Sequence, residues 1–322
     1  MPPGWRLGRQ VGRYVLGRVG QALAVLLATY TVAFLLLQAL PGDAILIRFL
    51  GSDMGLTPEQ LAEIRLAYGA DAPLWQQYLH SLGKVLTGDF GTSIQAGVPV
   101  WTSLSTNLPP TIRLAVSGFL FAALLAVGLA VLSTLSGLGW LRAAVQALPS
   151  LLVAIPVFWL GIMLIQVFSF QLGLVSVISP GPIEGMILPI ATLAVPIAAP
   201  LAQVLMRSID AVMAEPFVAV ARAKGASPSW VLWRHVARNA VLPTLTIAGI
   251  LFGELLGGAV VTEAVFGLSG LGGLTQQAVG NQDIAVLQAI VVISAAAFVT
   301  INLAVDLVAP MLDPRLGRAK GA

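Results

Sequence analysis

Along this chain apolar residues gather into long runs, and charges interrupt them only at wide intervals. No charged residue lies between Arg18 and Asp43, between Arg113 and Arg142, or between Arg142 and Glu184. A helix needs about 20 apolar residues to cross roughly 30 Å of hydrocarbon, because its backbone must satisfy its own hydrogen bonds there. Six segments reach that length: 19–40, 112–134, 144–170, 186–206, 243–263 and 284–308. The pattern predicts an all-α integral membrane protein with six transmembrane helices. The first run follows Arg6, Arg9, Arg13 and Arg18 in the manner of a secretory signal. It is much longer than the roughly 7–15 apolar residues of such a signal, and reads as an uncleaved helix.

Between the first two runs lies the one sizeable polar region, residues 41–110, opened by the helix-ending Leu40-Pro41-Gly42-Asp43. Thr57-Pro58-Glu59 has the order of an N-cap, a first helical position and a first-turn acid. Leu61, Ile64 and Leu66 then form an apolar stripe, and Gly69 is a stop. A second short helix is expected from about Pro73 through Trp75, Tyr78, Leu79 and Leu82. A turn-rich strip, Gly88-Asp89-Phe90-Gly91-Thr92-Ser93, is followed by Val98-Pro99-Val100 and by Leu108-Pro109-Pro110-Thr111, which leads into the second run. Two readings of this region stand: a helical cap whose aromatic residues pack on the membrane surface, and a docking surface for a soluble substrate carrier.

Composition agrees with the pattern. Hydrophobic residues make up 57% of the 322 and charged residues 10%, against about a quarter charged in soluble domains. Positive residues stay on the cytoplasmic side of a membrane protein. With the N-terminus inside, thirteen of the seventeen Lys and Arg residues are cytoplasmic, which predicts both termini inside. Arg48, Arg65 and Lys84 fall in outer loops, and Arg113 falls at a boundary. This asymmetry accounts for the net charge of +3, so nothing calls for a nucleic-acid partner. With no cysteine, neither disulfides nor thiolate metal sites are available.

Several features inside the runs are candidates for function. Pro156 and Pro196 interrupt apolar stretches and are either gating hinges or packing kinks. Gly249, Gly253 and Gly257 recur every four residues, a face on which helix backbones can approach closely. Glu254 and Asp306 put carboxylates at membrane depth, where charge is costly and faces the bundle interior or water. Asp306, near the inner end, suits an interfacial cap or salt bridge. Glu254 either lines a pathway or pairs within the bundle. The segment 262–273, with Thr262, Glu263, Phe266 and four glycines, is too glycine-rich for a continuous helix. It reads as a bent or re-entrant outer loop, either a gate or a plain turn.

Some chemistries are not encoded. There is no GxxxxGK[ST] phosphate loop, no HExxH and no GxSxG, and the only histidines, His80 and His235, lie outside the six runs. Ion-coupled carriers place several ionisable groups within the membrane, and only Glu254 and Asp306 qualify here. An energy source on another chain is therefore expected, with a secondary transporter or a non-transporting scaffold as the competing classes.

The most distinctive stretch is Glu215 to Pro243, EPFVAVARAKGASPSWVLWRHVARNAVLP, a basic island between two runs. Glu215-Pro216 starts a short helix and Gly225 stops it. Ser227-Pro228 starts a second, running through Trp230, Leu232, Trp233 and Val236 towards Leu242-Pro243. Two short helices at a glycine elbow would make a compact knob fitting a cleft on a soluble protein. The competing reading is an amphipathic loop lying on anionic lipid.

Ala219-Val220-Ala221-Arg222-Ala223-Lys224-Gly225, followed by Arg238-Asn239 and Leu242-Pro243, resembles the cytoplasmic "EAA" loop of ABC importer permeases of the dipeptide, oligopeptide and nickel group. The match extends through Leu40-Pro41-Gly42-Asp43, Gly88-Asp89-Phe90-Gly91, Leu108-Pro109 with Thr111, Thr262-Glu263 with Phe266, Gly270 and Gly272, and Leu312-Asp313-Pro314-Arg315. The general signature has Glu where this chain has Ala219, and its loop is shorter than the interval from Gly225 to Ala240.

The resemblance implies a type I importer architecture: a basic tail (1–18), a first span (19–40), an extracytoplasmic region (41–110), a permease core (111–310) and a cytoplasmic tail (311–322). It implies a second similar permease, two cytoplasmic ATPases that hold ATP and Mg, and an extracytoplasmic solute-binding protein. It also implies that this chain binds no cofactor and is not itself an enzyme. Glu215, Ala219, Ala221, Arg222, Lys224, Gly225 and Ser227 would form the ATPase-coupling site, and Gly253, Glu254, Glu263 and Phe266 are candidates for pathway or gate. The implied cargo is a di- or oligopeptide, with nickel chelate, glutathione or another small solute as alternatives.

Overall fold

The computed structural model describes residues 4–38, 60 and 72–312, with side chains described for 15–38, 60 and 72–307. The break at Leu40-Pro41-Gly42-Asp43, the helix expected around 57–69, Arg48 and Arg65, and the tail from Asp313 onward lie outside the described residues. Those described are helical except for turns and one isolated antiparallel bridge, Thr92 to Pro99. In chain order the helices are α1 (Gly4–Gln38), α2 (Leu74–Leu86), α3 (Val100–Leu135), α4 (Gly139–Val153), α5 (Val157–Leu164), α6 (Glu184–Met213), α7 (Pro216–Ala223), α8 (Pro228–Val231), α9 (Ala237–Phe266), α10 (Leu271–Gly280) and α11 (Ile284–Leu312). Five are long and apolar enough to cross a membrane, or six if one bent pair is counted as a span.

That bent pair covers the span expected at 144–170, which is not one straight helix. α4 ends at Val153, and α5, extended by a π-helical stretch over Ile165–Gln171, departs at 107°. Pro156 sits in the break as the N-cap of α5, where its missing N–H costs no helical hydrogen bond. Other prolines do not break their helices. α3 runs through Pro109 and Pro110 and starts well before 112, while α6 contains Pro189, Pro196 and Pro200 and continues to Met213. Packing on both sides outweighs the local cost.

α6 is the central element. Its Leu193, Ala194, Ala198, Leu201, Ala202, Leu205 and Ile209 are buried against α3 and α9. α3 answers with Gly118, Ala122, Ala126 and Ala130 at four-residue spacing, small enough for the two backbones to approach. A Cβ on Gly118 would stand 3.0 Å from the Leu193 side chain. The three-glycine face of α9 is used in part: a Cβ at Gly249 would overlap Val305 of α11, and one at Gly253 would meet Phe298, but Gly257 faces open space.

α1 packs along α11, and Arg18 pairs with Asp306 at 3.1 Å, the salt bridge expected of an acid near a membrane boundary. α2 leans on the far end of α1, where Tyr78 donates or accepts at Thr31 (2.7 Å) and meets the Tyr30 and Phe34 rings. Trp75 and Leu79, by contrast, are exposed.

Candidate functional site

The two ends of α9 carry the two constellations singled out in the sequence. Arg238 near one end and Glu263 near the other are about 38 Å apart at 1.5 Å per residue.

At the first end α6 turns at Ala214, and Glu215, in extended conformation, precedes Pro216 at the first position of α7. α7 ends in a Schellman motif. The Ala226 N–H donates to the Ala221 carbonyl at 3.1 Å, the Gly225 N–H donates to the Arg222 carbonyl at 2.9 Å, and Gly225 itself has φ +88°. That conformation is costly for any residue with a Cβ. Ser227 then caps α8, its Oγ accepting from the Trp230 N–H at 3.3 Å. The second short helix is not separate, however. α8 passes through a π-helical turn, Leu232–Val236, directly into α9, so Pro243 lies inside a continuous helix. One uninterrupted element joins the elbow to the membrane-crossing part of the chain.

The elbow has two faces. Val218, Val231, Leu232 and Val236 are buried in one cluster with Leu205 and Ile209 of α6, which fixes it to the bundle. His235 stands between the Trp230 ring (4.8 Å) and the Phe217 ring (6.3 Å), tying α7 to α8. Outside, Ala219, Arg222, Lys224 and Gly225 are exposed, Ala221 is half-buried, and Phe217, Val220, Trp230 and Trp233 present apolar surface beside the cations. Several exposed large apolar residues next to cations on one short segment suit an interaction site. Next to it Arg142 pairs with Asp210 at 2.8 Å, bracing α4 on α6.

At the opposite end α9 closes on Gly267 (φ +62°), and α10 starts after Gly270. This is the bend expected of the 262–273 segment. Glu263 is 1% exposed, and its Oε2 accepts from the Gly272 N–H at 2.6 Å, in the first turn of α10. A carboxylate there is favoured by the unpaired N–H groups and the dipole of that helix. The Leu271 N–H donates to Thr111 Oγ1 of α3 at 2.8 Å. Space for side chains on α10 is taken: a Cβ on Gly270 would overlap the Glu263 carboxylate, and one on Gly272 would overlap the Val260 carbonyl oxygen. Glu263 and Thr111 thus latch α10 to α9 and α3. Phe266 lines a shallow recess with Val175, Pro180, Glu184, Leu188 and Leu268.

One residue at this end carries more than its sequence reading gave it. Asp283, 3% exposed, accepts from Ser93 Oγ at 2.5 Å and from the Val286 N–H at 3.3 Å. It caps α11 and holds the turn-rich strip against it. An acid just before an apolar run is a recognisable N-cap, whereas its pairing with a residue 190 positions earlier has no local sequence signal. Of the other candidates, Gly253 is buried against α11, and Glu254, its neighbour, is exposed on α9 between the two ends.

Known proteins match the chain along nearly its whole length. Residues 118–318 match the model of the family described as "Binding-protein-dependent transport system inner membrane component", and residues 11–115 match the N-terminal model of the same group. y4tP of Sinorhizobium fredii, named "Probable peptide ABC transporter permease protein", is 35% identical over 95% of this chain and 99% of its own. GsiC of Salmonella typhimurium, named "Glutathione transport system permease protein", is 34% identical over 94% of this chain and 98% of its own. Among solved structures, "an amino acid ABC transporter with histidines" aligns with TM-score 0.50 at 17% identity, over 66% of this chain and 94% of that one, a likeness of fold.

Proposed function

The chain belongs to the family of binding-protein-dependent transport system inner membrane components, ABC importer permeases of the peptide type, and on that premise we propose how its two constellations act. The chain forms half of a translocation pathway, completed by a second, similar permease. Two ATPases, which hold ATP and Mg, bind the elbow on the cytoplasmic side. A solute-binding protein delivers cargo at the latch end, which faces outward, with both termini inside.

The observation that carries this reading is the two-faced elbow. Its inner face is anchored in the bundle by Val218, Val231 and Leu232, and its outer face offers Phe217, Arg222, Lys224 and Trp233 to a partner. Closure of the ATPases on nucleotide would push on that outer face. Because α8 continues into α9, the push reaches the membrane core without crossing a flexible joint. Coupling requires that nucleotide and cargo each favour one state of the bundle over the other. Arg222 and Lys224 offer charge to acidic groups of the ATPase, Ala219 and Ala221 allow close approach, and Glu215 and Ser227 fix where the two helices start. At the other end Glu263, Thr111 and Phe266 shape the outer gate.

The names of y4tP and GsiC support a di- or oligopeptide cargo, with glutathione, itself a peptide, as the second reading. The test is co-purification. With Arg222→Glu and Lys224→Glu together, the permease should still insert, while recovery of ATPase subunits and ATP-dependent peptide uptake fall at least tenfold. Full recovery of both would overturn the elbow as the coupling element.

A further inference from the structure

Helix α9 keeps one face free along its middle. Ile250, Glu254, Gly257 and Val261 stand at spacings of four, three and four residues, one stripe of a helix. Ile250 and Val261 are 41% and 42% exposed, Glu254 is exposed, and nothing lies within 4 Å of where a Cβ on Gly257 would sit. The borders of the stripe are packed. On one side Gly249 and Gly253 carry Val305, Phe298 and Asn302 of α11. On the other Gly258 meets Leu193 of α6, and Val265 meets Gly161 of α5.

Glu254 lies deep in the span. At 1.5 Å per residue it is about 24 Å from Arg238 and about 18 Å from Phe266, in a hydrocarbon layer roughly 30 Å thick. Among the described residues it has no hydrogen-bond or ion-pair partner. An ionisable side chain at that depth is too costly to face lipid, so this stripe faces water or protein. An apolar stripe with a bare glycine could also pack tightly on another helix, but a carboxylate without a partner in its middle suits a wetted wall better than a dry subunit contact.

We propose that this stripe lines a water-filled path whose far wall is the second permease, and that Glu254 makes the path cation-selecting. Cargo then passes with an ammonium or guanidinium group against the Glu254 carboxylate. The proposal rests on the reading of the chain as a pathway-forming permease. It predicts preference for solutes with a free amino group, a feature the stripe supplies independently of the binding protein.

The chain has no cysteine, so a single introduced thiol is unique in it. In the assembled transporter, in membrane fragments open on both sides, I250C should react with both a trimethylammonium and a sulfonate methanethiosulfonate, while buried L255C should not. Adding Glu254→Gln should lower the cationic-to-anionic rate ratio at I250C about tenfold, as expected for a charge one helical turn away in a partly aqueous channel. An I250C inert to both reagents would show the stripe closed to water, overturning the path and the cation site together. Reaction with both reagents at a ratio that Glu254→Gln leaves unchanged would overturn the cation site alone, with the path intact.

Discussion

Gly225 at the elbow and Gly272 at the latch are both glycine, and for opposite reasons. Gly225 has φ +88° and open space where a Cβ would go. Gly272 is in an ordinary helical turn, and its Cβ position is already occupied by the Val260 carbonyl oxygen. One glycine answers a demand of backbone conformation at an exposed surface. The other answers a demand for close approach inside a buried contact. The contrast extends to their neighbours: at the latch Thr111 and one oxygen of Glu263 find partners within the chain, while Glu263 Oε1 is buried without one, whereas at the elbow Phe217, Trp230 and Trp233 are left exposed. An end held by buried hydrogen bonds within the chain acts by holding shape, and an end with apolar and cationic surface left over acts through something that binds it.

Substitutions at the latch should therefore cost stability first. Gly272→Leu gives the largest expected effect, because backbone cannot yield as a flexible side chain can. A loss on the order of 3 kcal/mol follows from overpacking of this kind, read as a fall of several degrees in the melting temperature of the purified transporter. Unchanged melting would mean that α10 is free to shift, and the latch would not be a fixed contact. Glu263→Ala ranks next, at about 2 kcal/mol, since it leaves the Gly272 N–H without its acceptor in a buried place. Glu263→Gln keeps an acceptor and should cost less than half of that, the remainder being the charge at the α10 terminus. Equal losses for the two variants would show that the hydrogen bond is not what holds the latch.

How far the sequence reached follows the same division. Composition and the long apolar runs foretold an all-helical membrane bundle, and Glu215-Pro216, Gly225 and Ser227-Pro228 foretold the elbow, because caps and stops are local chemistry. What was missed depended on the surroundings. Pro156 breaks its span at 107° while Pro109, Pro110, Pro196 and Pro200 pass through continuous helices, and nothing within a few residues of each separates the two outcomes. Pro243 suggested the start of a span, but packing of α8 and the π-helical turn against the bundle carries one helix through it. The Glu263 carboxylate and Gly272 were visible as a glycine-rich segment beside an acid, without any sign that one caps the helix of the other. Ser93 and Asp283, joined across most of the chain, lie beyond any local pattern.

The elbow separates conformation from bulk in a way the latch cannot. Gly225→Asn should be tolerated, since asparagine enters the left-handed region more readily than other residues with a Cβ, and open space leaves room for it. Gly225→Val, β-branched, should lose about 1–2 kcal/mol of local stability by the cost of that region. ATPase recovery should fall with Val and persist with Asn. Loss with both variants would place Gly225 in direct contact with the ATPase, making its small size, and not its φ, the requirement.

Ser227→Ala gives the smallest expected effect and the sharpest comparison between the ends. Its Oγ caps a helix that continues as α9, so removing it takes one acceptor from the Trp230 N–H, about 1 kcal/mol. That N–H is at an exposed position where water can replace the serine, which holds the loss to the low end of the range. The bundle is anchored independently by Val231 and Leu232, so melting of the whole transporter should move by no more than about a degree. Fraying of the first turn of α8 would instead loosen Trp230 from His235, and with it the surface proposed to bind the ATPase. Amide hydrogen exchange should accordingly quicken at residues 228–231 and stay unchanged at 271–274. Faster exchange at both ends would mean that elbow and latch already communicate in the resting protein, and that the long helix between them transmits small disturbances as well as the large one proposed for nucleotide.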